Sequence, residues 1–521
     1  MSTAFCGDQV GCVVSIPHKG LPSTELVPIL LLEGVEVPLY SYLIARMDSQ
    51  FAGSSPRGRF ALLRVVRLRQ ADPGATPELT AVRLRVTGEA RGPPSAGEFT
   101  LAEAELLDVF EEDQNGLRSL GPSLIPRSGS GVYRAGPRAL EALMGRRSSP
   151  VRIGTLRGTD VPVDLDAEDL LRHMIVIGTT GTGKSWFRGL LMEELHDLGV
   201  PQLNFDPAGE YVEAVRELGG VNVIPGRNFF PRLDSLTPDL FLALAGDRLP
   251  TGFQRVIARS GFEEFLEDAR RGRVRGRGLE AYARSPEEGY DPLDLLEYME
   301  RAAERYNARR DTRENVLGRV EEMIAEIGIF GRGFAGDLEG RTLADLLTRE
   351  GLVNVVVLGL SDAQLQAVMA SLIGEAVRLR EAGAVRPLII SFDEAHRVVP
   401  RVPRGSEPPP AARLVRSLIR YGRHLGIGIV VITQFPDSVD VEAVRLPATR
   451  VVFAVDVDQV GAIRGLLSDL PEGVRDMLPK LERGTAFVTG VRDVMRYTAY
   501  VEISSERRTP HGGRTPRLVG G

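Results

Sequence analysis

The chain has 521 residues, a net charge of −6, 43% hydrophobic and 26% charged residues. That length leaves room for roughly three domains of ordinary size, and the charge excludes a polycation, so any nucleic-acid site must be confined to one face or a channel. The two cysteines, Cys6 and Cys12, lack zinc-type spacing and fit a reducing compartment. The longest apolar runs, such as Asn354 to Leu360 and Ile427 to Ile432, are too short to span a bilayer. The N-terminus lacks the pattern of a signal peptide. A cytoplasmic chain with no membrane contact is expected.

Residues 1–110 read as β-structure. Val10 to Ile16, Leu26 to Val37, Phe60 to Arg69 and Thr80 to Val86 are short runs rich in branched residues, separated by Gly/Pro/Ser clusters. They predict a small barrel. Residues 111–150 read as a connector, with a short helix at Arg138 to Leu143. Val151 to Val163 reads as a hairpin turning at Arg157-Gly158-Thr159-Asp160.

The chemistry begins at Met174. Met174 to Ile177 predicts a buried strand, and Gly178-Thr179-Thr180-Gly181-Thr182-Gly183-Lys184-Ser185 fits G-x-x-x-x-G-K-[ST], a phosphate-binding loop. Its glycines bring backbone N–H groups against phosphate oxygens. Lys184 can reach the β- and γ-phosphates of ATP, and Ser185 can ligate Mg²⁺. The helix predicted from Trp186 to His196 points its positive end at the anion. Gln202 to Asp206 is a second strand, followed by Pro207-Ala208-Gly209-Glu210-Tyr211. Asp206 and Glu210 there either position metal or water or simply end the strand.

Residues 225–350 predict an inserted helical subdomain, with helices over Asp291 to Asn307 and Glu314 to Ile327. Residues 270–277 hold five arginines and no acid, either a solvated loop or a grip on phosphates. Asn354 to Leu360 is a strand and Ala363 to Arg380 a helix. Leu388 to Phe392 is a hydrophobic strand ending in Asp393-Glu394, the Walker B form. Asp393 would serve Mg²⁺ and Glu394 would polarise the attacking water. On the helix from Ala411 to His424, Arg413, Arg416, Arg420 and Arg423 fall along one face. That stripe is either solvated or presented to a neighbour's γ-phosphate or to DNA. Gly428 to Thr433 is a strand, and Gln434 at its end can sense the γ-phosphate or merely leave the sheet. Arg450 to Val455 is a further strand. Thr485 to Thr489 and Tyr497 to Ile503 predict a closing hairpin, and 504–521 a basic, flexible tail. The six histidines form no metal-type cluster; His173 and His396 read as structural.

Together these stretches resemble the HerA family of hexameric DNA translocases, in the HerA/FtsK branch of P-loop ATPases. The resemblance rests on Ile153 to Leu156, Val161 to Val163, Arg172-His173, the phosphate loop, Asp206 to Tyr211, Asp393-Glu394-Ala395-His396, Gly422-Arg423, Thr433-Gln434 and, loosely, Leu481 to Ala486. Ala208, Phe435, Glu482 and Thr485 depart from the family's pattern. The resemblance implies an α/β fold with a RecA-like core over 151–224 and 351–503. It implies a homo-hexameric ring with DNA in a central channel and a nucleotide site between subunits. Trp186 falls at the cofactor site, Arg423 or Arg420 at the position of an arginine acting on the next subunit, and Arg172 at that of a second sensor. It further implies ATP-driven DNA translocation or unwinding in end resection and recombinational repair, with a NurA-type nuclease as partner. Alternatives are a ring scaffolding an effector in phage defence, or a conjugation- or packaging-type pump.

Overall fold

The computed structural model describes residues 6–15, 21–47, 59–71, 85–86, 99–113, 116–145, 147–274, 290–403, 405–463, 465, 475–491 and 493–510. Strands β1 (Cys6–Val13), β2 (Leu26–Leu31), β3 (Tyr42–Arg46), β4 (Arg59–Ala71), β5 (Phe99–Asp113), β6 (Gly116–Ser119) and β7 (Gly131–Ala135) form the first sheet. Its order is β2-β1-β7-β3-β4-β5-β6, and β5 also pairs with β2, so six antiparallel strands close on themselves. Among the described residues, closure leaves only short β6 as an edge. Val10, Val27, Ile29, Leu43, Leu63 and Val65 fill the interior. The barrel runs past the boundary expected at residue 110. Its strand β7 lies inside the stretch read as a connector, because Val132 is needed to fill the barrel wall. Most of the strand read at Thr80 to Val86 lies outside the described residues.

After helix α1 (Pro137–Met144) comes the expected hairpin, β8 (Pro150–Leu156) and β9 (Pro162–Asp166). The remaining strands are β10 (Met174–Ile177), β11 (Gln202–Asp206), β12 (Val221–Val223), β13 (Phe229–Phe230), β14 (Gly333–Phe334), β15 (Leu352–Val356), β16 (Leu388–Phe392), β17 (Ile427–Thr433), β18 (Thr449–Val452), β19 (Thr485–Gly490) and β20 (Ala499–Ile503). All but β13 and β14 join β8 and β9 in one sheet, in the order β12-β15-β11-β16-β17-β10-β18-β19-β20-β8-β9. The stretch β12 to β18 is parallel, and the rest antiparallel.

Side-chain alternation along β10 shows why this strand must be buried on both faces. Met174 and Val176 pack into one core, with Phe187, Leu190 and Leu191. Ile175 and Ile177 pack into the other, with Leu203, Phe205 and Phe392. The first core belongs to helix α2 (Lys184–Asp197), which crosses the sheet beside the β8–β9 hairpin. The second is covered by α9 (Asp362–Glu381) and α10 (Pro410–Leu425), with α8 (Leu343–Arg349) at its margin.

Helix α3 (Val212–Glu217) precedes β12, and between β12 and β15 lie α4 (Pro238–Ala245), α5 (Gly252–Arg270), α6 (Leu295–Arg305) and α7 (Arg310–Ile327). From α4 to α7 they share their own core of Phe241, Phe262, Phe265, Tyr298, Val320 and Met323, seated on Ala367 and Ala370 of α9. Within the stretch 225–350, Leu343, Leu346 and Leu347 instead join the main core. Of the arginine-rich stretch 270–277, Arg275 and Arg277 lie outside the described residues. No described helix is long and apolar enough to cross a membrane.

Candidate nucleotide site

Parallel register brings the sequence motifs to one edge. Ile177 lies opposite Thr433, and Phe392 opposite Val431. The phosphate loop after β10, Asp393-Glu394 after β16 and Gln434 after β17 therefore leave the sheet side by side, at the carboxyl ends where α/β sheets bind ligands. The loop needs its glycines: Gly181 and Gly183 sit at φ +80° and +121°, and a Cβ on Gly178 would meet the Phe453 Cβ at 2.7 Å. Gly183 caps α2, so the helix's unsatisfied N–H groups face the loop.

Lys184 is buried, and its Nζ donates to the Thr179 carbonyl at 2.6 Å. Burial pulls its pKa below the ordinary value, while Glu394, Asp393 and Glu210 oppose that shift. Glu210 Oε2 is buried without a hydrogen bond. Glu394 occupies the left-handed region at φ +49°, an uncommon conformation for a non-glycine residue and one found where function fixes a side chain. Its carboxyl is pushed up by burial and by Asp393. Gln434 Nε2 donates to Glu394 Oε1 at 2.9 Å, and Thr180 Oγ1 donates to Gln434 Oε1 at 2.6 Å. A chain of two hydrogen bonds thus joins the phosphate loop to the acid. His396 Nδ1 lies 3.3 Å from Glu394 Oε2 without hydrogen-bond geometry.

Asp393 is held from behind. Its Oδ2 accepts from Arg188 Nη1 and from the Tyr211 hydroxyl, each at 3.3 Å, and its Oδ1 from the Glu394 N–H at 3.0 Å. Arg188 and Tyr211 received no role from sequence. The available signal was a charged residue within the apolar run Phe187 to Met192 of a helix packed on both sides.

Several expected site residues lie elsewhere. Asp206 is fully buried and accepts four backbone N–H bonds, from Ala208, Gly209, Glu210 and Tyr211. It shapes its own turn and has no capacity left for metal or water. Arg172 precedes β10, at the opposite end of that strand from the loop. Four residues of strand, about 13 Å, separate the two, and Arg172 pairs with Asp493 at 3.2 Å. The arginine stripe on α10 is largely neutralised: Arg413 pairs with Glu407, Arg416 with Asp440 and Arg420 with Glu442. Asp440 and Glu442 cap and open the short helix α11 (Val441–Arg445), which packs on α10. Arg423 is exposed with no ion pair among the described residues, in the last turn of α10. Trp186 does line the start of α2, but its Nε1 donates to the Ser504 carbonyl. His173 is structural, as expected: it is buried, and its Nδ1 accepts from the Ile429 N–H at 3.1 Å.

The tail also differs from expectation up to Pro510. Arg507 is buried over the Trp186 ring and donates to Glu193; Arg508 pairs with Asp197. The carboxylates on α2 supply the partners that order it. Residues 511–521, with Arg514 and Arg517, lie outside the described residues.

A phosphate loop on a central parallel strand, beside an Asp-Glu strand end and a polar residue on the next strand, defines a P-loop ATPase with a RecA-like core. Residues 151–377 match the family described as the central domain of helicase HerA. The chain is 24% identical over 399 residues to the DNA double-strand break repair helicase HerA of Sulfurisphaera tokodaii, covering 73% of this chain and 74% of the relative. It is 23% identical over 462 residues to that of Pyrococcus furiosus, covering 79% and 78%. In fold it is similar to VirB4 of Thermoanaerobacter pseudethanolicus, with TM-score 0.50, 17% identity and coverage of 69% and 97%. Over residues 151–377 the chain is thus similar to the HerA-type ATPases.

Proposed function

We propose that this ATPase is the motor subunit of a homo-hexameric ring that moves duplex DNA through a central channel and delivers it to a partner nuclease. ATP is held by the phosphate loop, Gly178 to Ser185, with Lys184 neutralising charge on the transferring phosphate. Glu394 orients and deprotonates the attacking water, and Gln434 couples its position to the loop. The donors fit Mg²⁺: the Ser185 hydroxyl and the Asp393 carboxylate are hard oxygen ligands, and Asp393 Oδ1 meets only the Glu394 N–H among the described residues. When bound, the ion supplies charge neutralisation at the phosphates. Arg423 supports a seam between subunits. It is exposed with no ion pair among the described residues, in the last turn of α10 before β17, whose far end carries Gln434 beside the loop.

The observation that carries this reading is the hydrogen-bonded series Thr180–Gln434–Glu394, which ties a phosphate loop to a water-activating acid. A repair role is supported by the break-repair name of the Sulfurisphaera tokodaii and Pyrococcus furiosus relatives. Phosphate hydrolysis should be measured with and without linear duplex DNA, alongside particle mass in solution. DNA is expected to stimulate turnover in a hexamer-sized species. Lys184→Ala should abolish nucleotide binding, and Glu394→Gln should bind ATP but lose turnover by roughly 10²–10⁴-fold. Wild-type turnover in both variants overturns the site; turnover indifferent to DNA overturns the motor.

A further inference from the structure

Behind the phosphate loop lies a buried cation that the hydrolysis scheme does not use. Arg188 is 2% exposed, one helical turn beyond Lys184 on α2. Its guanidinium makes three different contacts. Nη1 meets Asp393 Oδ2 at 3.3 Å, Nη2 donates to the Phe205 carbonyl at 3.3 Å, and the plane lies 4.2 Å from the Tyr211 ring centroid. The Tyr211 hydroxyl in turn donates to Asp393 Oδ2 and lies 3.3 Å from the carbonyl oxygen of Ser185. The turn that carries Tyr211 is fixed by Asp206, which accepts the Tyr211 N–H. Three separate chain segments therefore meet at one carboxylate: the phosphate-loop helix, the turn after β11 and the end of β16.

We propose that Arg188 is a positioning residue for the metal–nucleotide site, which with Tyr211 fixes Asp393 so that its Oδ1 and the Ser185 hydroxyl are set before Mg²⁺ arrives. The inference rests on the nucleotide site assigned above. Its physical content is geometric. A planar guanidinium that forks between a carboxylate and a carbonyl while stacking on a ring fixes orientation in a way a point charge cannot. Arg188 and Tyr211 occupy Oδ2, whereas Oδ1 accepts only the Glu394 N–H among the described residues. Groups that orient a metal's ligands typically change metal affinity 10–100-fold when removed.

The test compares Arg188→Lys, Arg188→Gln and Tyr211→Phe with wild type. Tyr211→Phe keeps the ring under Arg188 and removes only the hydroxyl. Binding of a fluorescent ATP analogue is titrated in EDTA and then against Mg²⁺, with melting temperature as a second readout. Binding in EDTA should stay within about 2-fold of wild type for Tyr211→Phe and Arg188→Lys, because the loop itself is unaltered. The Mg²⁺ concentration giving half-maximal enhancement should rise roughly 10-fold or more in Arg188→Lys, and by a smaller factor in Tyr211→Phe. The rise in melting temperature that Mg²⁺ adds to nucleotide should shrink in the same order. If Arg188→Lys and Tyr211→Phe both keep the wild-type Mg²⁺ midpoint, Arg188 is a structural cation only and the proposal fails. Should Arg188→Gln or Arg188→Lys not fold, the Tyr211→Phe midpoint alone decides: unchanged, it overturns the proposal. Lys184→Ala separates the two levels of the argument. If that variant binds nucleotide like wild type, the site assignment itself is wrong; if it does not, the Arg188 result stands or falls alone.

Discussion

At the scale of single residues, charge is arranged so that few groups are spare. Lys184, Glu394, Asp393 and Glu210 hold one another in a part-buried cluster, and Arg188 backs Asp393. Arg423 is the arginine of the α10 stripe left without an acid among the described residues, which gives it a reach that Arg420, forked onto Glu442, lacks. Arg423→Ala should keep ATP binding and lose turnover by roughly 10³-fold or more, the range seen for arginines acting on a transferring phosphate. Mixing it with Lys184→Ala subunits should restore part of the activity, measured by phosphate release. His173 makes a different prediction. Burial pulls its pKa down to about 4, against 6.5 for the free side chain. Below 6.5 the unfolded chain gains a proton that the folded chain refuses, so stability falls as the solution is acidified through that window. The full effect is roughly 3 kcal/mol near pH 4. Urea midpoints followed across this range should decline in wild type and be flatter in His173→Gln.

At the scale of elements, α2 does two jobs. Its first turn presents the phosphate loop, and its outer face receives the tail. Glu193 is buried, which alone would raise its carboxyl. The Thr509 hydroxyl, the Arg508 and Thr509 N–H groups and Arg507 outweigh burial and hold it below the usual carboxylate range. The slot for Arg507 exists because residue 189 is glycine: a Cβ there would lie 2.1 Å from the guanidinium carbon. Gly189→Ala should eject Arg507, cost about 1–3 kcal/mol as overpacked sites do, and expose the segment after Ser504 to protease. Limited proteolysis followed by mass spectrometry reads the cut directly. Adding Arg507→Ala should cost less than the sum of the two single changes. A second element-scale lesson comes from Asp206. An acid at a strand end looks like a ligand in sequence; here four N–H groups consume it.

At the scale of the whole molecule, the barrel is tied to the ATPase sheet through the β19–β20 hairpin. Arg64 is 2% exposed, pairs with Glu105 and donates to the Thr498 carbonyl. The Tyr497 hydroxyl donates to buried Asp108, and Tyr40 packs edge-on against Phe487 and Tyr500. Arg64→Met should leave the Thr498 carbonyl without its donor, cost about 1–3 kcal/mol, and split the calorimetric melt into a barrel and a core transition. The phosphate loop, the Asp-Glu strand end, Gln434 and most core elements were legible in sequence, because each is set by contiguous residues: apolar runs for strands, glycines for the loop, 3.6-residue spacing for helices. The barrel strands at Tyr42–Arg46, Phe99–Asp113 and Gly131–Ala135 were not, since their pairing joins residues far apart in the chain. By itself the sequence determined which chemistry the chain carries. Only the tertiary structure decided which charges remain available for it, because the pairing of Arg420 with Glu442, of Arg188 with Asp393 and of Arg507 with Glu193 depends on where the backbone folds each partner. A charge's partner is set by distance in space, and local sequence has no measure of that distance.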